Sequence, residues 1–236
     1  MFWNIFRPRV SLKESGIFDG ATDWHCHLLP GVDDGVQRME DTLKILALYE
    51  RLGIRRVWLT PHIMEDVPNK PDRLRARFAE LKTAYRGSIE LNLAAENMMD
   101  SLFEKRLTDG ILLPLGEDGD HLLVETSYFN PPMGLYDILR EVQSKGFHPV
   151  LAHPERYQYM DDADYDRLYE MDIRLQLNLF SLVGGYGKRV QKNAIYLLKK
   201  GYYSYKGTDT HRFGQFNYFT DKKIPKDLVE RIKTLK

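Results

Sequence analysis

The chain has 236 residues, of which 43% are hydrophobic and 29% are charged, and this composition is ordinary for a globular protein. Lysine plus arginine and aspartate plus glutamate number 34 each, which excludes the broad basic surface that nucleic-acid-binding proteins carry. No stretch approaches the ~20 apolar residues needed to span a membrane. The single cysteine, Cys26, excludes a disulfide framework or a thiolate zinc site and favours a reducing compartment, for which the cytoplasm is our prediction.

Short apolar runs alternate with amphipathic stretches along most of the chain, which indicates repeated β-α units around a parallel sheet. About seven strands are predicted, over residues 21–25, 56–60, 89–95, 122–125, 149–152, 174–178 and 203–206. Helices are predicted over residues 40–52, 71–85, 133–145, 162–171, 189–200 and 225–235. Glycine directly follows the first, third and fifth of these helices, as it often does where a helix ends. The predicted fold class is therefore α/β.

The sequence between the predicted elements contains no proline-, glycine- or serine-rich linker and no low-complexity segment. We therefore predict one α/β domain over residues 21–236, preceded by an N-terminal leader over residues 1–20. The apolar run that begins this leader is too short for the hydrophobic region of a signal peptide.

Side chains able to bind metal recur at the carboxyl ends of the predicted strands, where α/β barrels assemble their active sites. His25 and His27 come first, and their alternate spacing places both imidazoles on one face of an extended strand, with Cys26 facing the other way. Other strand ends supply further candidates, which are Asp33, Asp34, His62, Glu96, Glu125, His153, Asp209 and His211.

Each of these signals has a structural alternative when it is taken alone. A His-x-His pair or His62 is compatible with a surface or strand-end position, and Glu96 or Glu125 with a buried pair to arginine. Their recurrence at equivalent strand ends favours a shared metal site. Nitrogen and oxygen donors without thiolate suit Mn²⁺, Fe²⁺, Zn²⁺ or Co²⁺, and the donors outnumber those that one ion can use.

Such a site predicts hydrolysis, because a water bridging two ions has a pKa lowered toward neutrality and supplies a hydroxide nucleophile. Arg156 follows His153 by three residues, and Arg212 directly follows His211. Either arginine could hold and neutralise a phosphoryl group beside the ions, the alternative for each being a surface ion pair.

Four motifs carry a resemblance to a known superfamily: HCHLLPGVDDG at residues 25–35, TPH at 60–62, AHPERY at 152–157 and DTH at 209–211. Together they resemble the polymerase-and-histidinol-phosphatase (PHP) superfamily, and within it the manganese-dependent tyrosine-protein phosphatases of bacterial capsule and exopolysaccharide loci. The resemblance extends from about Ala21 to Arg212. It implies a distorted seven-stranded (β/α) barrel, two or three ions of Mn²⁺, and hydrolysis of phosphotyrosine in the tail of a bacterial tyrosine kinase.

The resemblance also implies roles for individual residues, carried over by position. One ion would be held by His25, His27, Glu96 and Asp209. Glu96 would bridge to a second ion held by Glu125 and His153. A third ion would be held by Asp34, His62 and His211. Arg156 and Arg212 would face the phosphate.

Other functions compete with this hypothesis. A PHP phosphatase of a small ester such as histidinol phosphate would need the same metal cage. An amidohydrolase also begins with His-x-His, but it usually has lysine on the fourth strand, where this chain has Glu125. A non-catalytic metal scaffold would be expected to lack ligands, and a cysteine-dependent tyrosine phosphatase would need arginine six residues after Cys26, where Val32 stands. Cys26 is therefore predicted to be packed and unreactive.

Overall fold

The computed structural model describes residues 8–236. The first seven residues of the predicted leader lie outside this range. The strands are β1 (Arg9–Ser11), β2 (Thr22–Cys26), β3 (Arg56–Leu59), β4 (His62–Ile63), β5 (Glu90–Leu93), β6 (Glu96–Met98), β7 (His121–Glu125), β8 (His148–Ala152), β9 (Arg174–Asn178), β10 (Tyr203–Gly207) and β11 (Lys223–Pro225). The helices are α1 (Met39–Leu52), α2 (Pro71–Ala84), α3 (Phe103–Thr108), α4 (Leu135–Ser144), α5 (Asp162–Glu170), α6 (Lys188–Lys200), α7 (Phe213–Thr220) and α8 (Val229–Lys233). None of these helices is long and apolar enough to cross a membrane.

Two parallel sheets form the centre of the fold. One has the strand order β10-β9-β8-β7-β6-β4 and the other the order β2-β3-β5. At one junction the backbone of Asp209, just beyond β10, donates to His25 O at 2.7 Å, and His27 N donates to Thr210 O at 3.0 Å. At the other junction the chain itself passes from β3 into β4 and from β5 into β6. The strands thus follow one another round a circuit of seven positions, and the predicted α/β class is confirmed.

The circuit is distorted because its second and third positions are each split between the two sheets. The sequence predicted unbroken strands over residues 56–60 and 89–95. Pro61, which has no N–H to donate to a ladder, separates β3 from β4, and Ala94 and Ala95 separate β5 from β6. As a result, His62 and Glu96 do not simply follow strands, but lie opposite each other in the parallel pair β4–β6.

Close approach of β10 to β2 depends on Gly207. A β-carbon at this position would lie 2.5 Å from His25 Cβ and 2.8 Å from Gln176 Nε2. Such distances are shorter than real β-carbons tolerate, so only glycine fits here without displacement of a strand. Gly207 therefore sets the position of His25 at the closing edge of the circuit.

All six predicted helices are present, but the one at the C-terminus is much shorter than predicted. Residues 225–235 were predicted as one helix, but Pro225 ends β11, a 3-10 turn covers Lys226–Leu228, and only Val229–Lys233 is α-helical. Pairing of β11 with β1 overrides the helical pattern at Pro225. The helix predicted from residue 133 begins at Leu135, after Gly134 with φ 72°. The sequence did not predict the short helices α3 and α7.

The described part of the predicted leader packs against the rest of the domain. β1 forms an antiparallel pair with β11, more than 200 residues later in the chain. Leu12, Ile17 and Phe18 are at most 3% exposed and belong to the same hydrophobic core as the strands and helices of the circuit. The sequence left open whether the leader packs against the domain or is disordered. It could not decide for residues 9–18, because the partner strand of β1 is so distant in the chain.

Candidate metal centre

The nine predicted metal ligands come together at the carboxyl end of the circuit. Their ligand atoms form four overlapping groups, each with all atoms within 4.8 Å of one another. The groups are His27, Asp34, His62 and His211; His25, His27 and Asp209; His25, Glu96 and His153; and His62, Glu96 and Glu125. Each group has the size of part of a metal coordination sphere. Glu96 belongs to two groups, as expected of a bridging carboxylate. His27 also joins Asp34, His62 and His211, the three residues to which the resemblance assigned the third ion.

The buried centre of the cluster is formed by His25, His27 and Glu96, all fully buried. The Nε2 atoms of the two histidines are 3.2 Å apart, so the side chains converge as their alternate spacing predicted. Each of these atoms also lies 3.2 Å from Glu96 Oε2. His153 approaches from the other side, with its Nε2 3.0 Å from Glu96 Oε1.

Several of these buried donor atoms lack a hydrogen-bond partner. Glu96 Oε2, Glu125 Oε1 and His62 Nδ1 are buried without a hydrogen bond, although His62 Nδ1 lies 3.0 Å from Glu125 Oε1. Leaving a buried polar atom unpaired is costly, and the cost is removed when it coordinates a cation. These unpaired nitrogen and oxygen atoms, which point toward one another, therefore fit the ligands of a metal site.

The charge of the site also fits divalent cations. Five carboxylates belong to it, namely Asp33, Asp34, Glu96, Glu125 and Asp209. Across residues 8–236, Arg156 is the one lysine or arginine within ion-pair distance of them. Burial and the neighbouring His27 act to lower the pKa of His62, but Glu96 and Glu125 outweigh them and raise it to about 9. The excess negative charge that holds a proton on His62 would equally hold a metal ion.

A second layer of hydrogen bonds orients the histidines. His25 Nδ1 lies 2.9 Å from Gln176 Oε1, and His27 Nδ1 lies 2.9 Å from Asp33 Oδ2. Because each Nδ1–H donates to an oxygen, the proton stays on Nδ1, and the lone pair of Nε2 faces the cluster and can bind a metal ion. Asp33, one of the candidates after the first strand, thus supports a ligand. The sequence assigned no role to Gln176, although Gln176-x-Asn178 also resembles the family and an amide stands out in the otherwise apolar part of a strand.

Two of the proposed ligands have an uncommon backbone conformation. His153 has φ 34° and Asp209 has φ 51°, both in the left-handed region that residues other than glycine rarely occupy. His153 begins the 3-10 turn Pro154–Arg156, and Asp209 lies between β10 and α7. Strain of this kind persists where surrounding contacts hold a side chain in a required direction, and it clusters at functional sites.

A cavity of about 490 Å³ opens onto the cluster. Both predicted phosphate-binding arginines line it, together with Tyr128, Tyr186 and Gln215. Arg156 Nη1 donates to Asp209 Oδ2 at 2.8 Å, while Arg212 is exposed and immediately precedes α7. The sequence assigned no role to either tyrosine, although Tyr186 lies in a GGYG stretch, at residues 184–187, that also resembles the family.

Cys26 lies on the opposite face of β2 from the two histidines, as predicted. Its side chain is fully buried in the core, with Sγ 3.4 Å from the carbonyl oxygen of Trp58. Burial raises the pKa of the thiol well above its ordinary value, and the nearby Asp23 raises it further. A protonated, packed thiol is not a nucleophile for phosphorus.

Comparison with known proteins decides the family. The sequence matches the capsular polysaccharide synthesis family CpsB/CapC over residues 21–222. The chain belongs to this family. Tyrosine-protein phosphatase YwqE of Bacillus subtilis (strain 168) is 28% identical to it over 208 residues, which cover 86% of this chain and 82% of YwqE. The resemblance predicted from the four motifs is therefore confirmed at the level of the family.

Solved structures share the fold. One comes from the crystal structures of YwqE from Bacillus subtilis and CpsB from Streptococcus pneumoniae, which are described as metal-dependent tyrosine phosphatases. It matches with a TM-score of 0.72 and 24% sequence identity, and the match covers 90% of this chain and 85% of the solved chain. The lactonase Lmo2620 of Listeria monocytogenes matches with a TM-score of 0.58 and 10% identity, covering 93% of each chain. Since this fold accommodates different chemistries, the reaction must be argued from the site.

Proposed function

We propose that this protein is a metal-dependent protein-tyrosine phosphatase that hydrolyses phosphotyrosine on a cognate bacterial tyrosine kinase of capsule or exopolysaccharide synthesis. The observation that carries the proposal is the convergence of nine histidine and carboxylate ligands, with Arg156 and Arg212, around one cavity. Membership of the CpsB/CapC family supports it, as does the name of the relative YwqE.

The proposed cofactor is Mn²⁺, in two or three ions held by the four groups of ligands described above. Nitrogen and oxygen donors without thiolate also suit Fe²⁺, Zn²⁺ or Co²⁺. When bound, such ions polarise phosphoryl oxygens and lower the pKa of a coordinated water. The chain itself supplies fixed ligands, and Gln176 and Asp33 hold the imidazoles of His25 and His27 in the orientation that binding needs.

The arginines provide the proposed recognition of phosphate. Arg156 is anchored at the wall of the cavity by its ion pair with Asp209, and Arg212 lies at the rim. A planar guanidinium can donate two parallel hydrogen bonds to phosphoryl oxygens and neutralise their charge. With Arg156 deeper and Arg212 exposed, the phosphate of a tyrosine in an extended tail would pass Arg212 before it reaches Arg156 beside the proposed ligands.

The competing functions lack a specific supporting observation. An amidohydrolase is disfavoured because Glu125, at the fourth strand position, joins the metal ligands in place of the usual lysine. A scaffold without catalysis is disfavoured because no predicted ligand falls outside the cluster. We also propose the cytoplasm as the location, since the lone thiol is unpaired and a reducing compartment suits it.

The test combines elemental analysis with assays on two substrates. Purified protein, with and without added Mn²⁺ or chelator, is given a phosphotyrosine peptide or histidinol phosphate. The proposal expects more than one transition-metal ion per chain, chelator-sensitive hydrolysis of the peptide, and weak activity on the small ester. Selective hydrolysis of histidinol phosphate would instead support the rival phosphatase. Fully metallated protein with no activity on either ester would refute the proposal.

A further inference from the structure

Arg156 lies between two aromatic rings at the wall of the cavity. Its Cζ is 4.3 Å from the ring centre of Tyr128 and 4.2 Å from that of Tyr186. Both distances are short enough for a direct contact between the guanidinium and each ring. A cation over the face of an aromatic ring is attracted by the ring quadrupole, and the attraction is strongest where water is excluded.

The strand order explains why the two rings meet at this arginine. Arg156 follows β8, Tyr128 follows β7 and Tyr186 follows β9, and β8 lies between β7 and β9 in the sheet. The loops of the flanking strands therefore approach the turn after β8 from either side. Tyr128 is itself held by near-parallel stacking on Tyr157, with ring centres 6.2 Å apart.

One edge of the guanidinium is occupied by Asp209. Its Oδ2 accepts from Arg156 Nη1 at 2.8 Å and from Asn178 Nδ2, also at 2.8 Å. The other carboxylate oxygen of Asp209 lies 3.5 Å from His27 Nε2, within the metal cluster. Across residues 8–236 the Arg156 side chain makes no other hydrogen bond, so its remaining N–H groups are available to a ligand in the cavity.

We propose that Tyr128 and Tyr186 are positioning residues that clamp Arg156, so that its free edge is presented to the phosphoryl group beside the metal cluster. This inference rests on the proposed function, in which Arg156 holds the phosphate. With two rings packed against it and one edge bound to Asp209, the guanidinium loses the rotational freedom that a long side chain otherwise keeps. Binding of phosphate then costs less ordering of the arginine.

The test replaces each ring by an aliphatic side chain of similar bulk. Tyr128→Leu and Tyr186→Leu remove the aromatic face, whereas Tyr128→Phe removes only the hydroxyl and is the matched control. Tyr186→Phe is a weaker control, because the Tyr186 hydroxyl accepts a hydrogen bond from Asn178 and donates one to Asp209. Affinity for inorganic phosphate is measured by calorimetry on protein loaded with Mn²⁺, together with kcat/KM on a phosphotyrosine peptide. We expect each leucine variant to keep its metal and lose about tenfold in both quantities, and Tyr128→Phe to retain most of both.

A double-mutant cycle separates the clamp from a general structural role. In an Arg156→Ala background the leucine substitutions should have no further effect on phosphate affinity, because the rings act through the arginine. An equal loss in that background, or no loss in the native one, would overturn the clamp. If one leucine variant fails to fold, the other decides, since the rings sit in different loops.

The results that would contradict the proposed function differ from those that would contradict only the clamp. If the proposed function is wrong, Arg156→Ala would leave phosphate affinity and turnover unchanged, or the native protein would hydrolyse no phosphotyrosine. Unchanged phosphate affinity in Arg156→Ala would overturn the clamp as well. Phosphate affinity that falls in both leucine variants and in Arg156→Ala, in a protein inactive on phosphotyrosine, would support the clamp and contradict only the proposed substrate.

Discussion

Glu96 is the residue on which most contacts of the cluster converge. One of its oxygens lies 3.2 Å from both His25 and His27 and 3.3 Å from His62, and the other lies 3.0 Å from His153. Burial raises the pKa of this carboxyl, but the surrounding histidines, His25 foremost, bring it well below its usual range. The ionised form of Glu96 is thus stabilised at every pH near neutrality, ready to coordinate cations.

Alanine substitutions at proposed ligands and at two other histidines test the ligand assignment. His153→Ala or Glu125→Ala should remove metal and abolish most phosphatase activity, because each removes a proposed buried ligand. His121 and His148 are matched controls. They are the first residues of β7 and β8, at the ends of these strands away from the proposed metal site, and both lie beside Asp120. Metal content and kcat/KM are measured for all four alanine variants. Comparable losses in the controls would show that the ligand assignment is wrong.

Substitution of Cys26 tests the nature of the nucleophile. Cys26→Ser should retain most of the activity, because the thiol is buried on the core face of β2 and its pKa is raised. The measurements are kcat/KM, metal content and mass spectrometry of the quenched reaction for a phosphocysteine. A folded, fully metallated Cys26→Ser protein without activity would require a thiolate mechanism in place of the metal-dependent one.

At the scale of elements, broken strands and a close contact between strands shape the site. The breaks between β3 and β4 and between β5 and β6 bring His62 and Glu96 into one register pair, next to Glu125 at the end of β7. The contact of β10 with β2 brings Asp209 beside His25. The positions of the proposed metal ligands, which come from distant parts of the chain, are therefore set by backbone pairing as well as by side-chain rotamers.

Gly207 is the position at which this arrangement is most sensitive to added volume. Gly207→Ala places a β-carbon against His25 and Gln176, so β10 must move away from β2. We expect a loss of about 1 to 3 kcal/mol in the free energy of unfolding and weaker metal binding. Gly214→Ala is the control, because a β-carbon there meets no atom within 4 Å. Chemical denaturation and metal titration are the measurements, and equal behaviour of both variants would contradict the role given to Gly207.

At the scale of the whole molecule, the larger of two clusters of buried apolar side chains extends from β1 to the C-terminal helix. Leu12 near the N-terminal end of the described chain and Ile232 in α8 are both fully buried in the same cluster of apolar side chains. The carboxylates at the end of the circuit oppose this stability, since like charges repel when no cation lies between them. The stability of the metal-free protein is thus expected to depend on pH, because protonated histidines reduce this repulsion.

The sign of that dependence follows from the direction of the pKa shifts. The pKa of His62 rises from 6.5 to about 9 on folding without metal, so its contribution to stability is complete below pH 6.5 and is lost as pH rises through 9. His25 and His27, whose pKa values also rise despite burial, act in the same direction. The thermal midpoint of chelated protein should therefore fall between pH 6.5 and 9. Added Mn²⁺ should remove the fall, and a midpoint that rises with pH without metal would contradict this.

The sequence by itself determined the α/β class, most of the helices and the identity of the candidate ligands. It could do so because helical and strand periods are local, and because metal coordination restricts its ligands to a few residue types placed at strand ends. The pairing of β1 with β11, the split strands and the groups in which the ligands meet were decided only by the tertiary structure. So were the rings around Arg156, because Tyr128 and Tyr186 become neighbours of this arginine only through the order of strands in the sheet. Such contacts join residues far apart in the chain, and no local pattern records which strand ends will lie side by side.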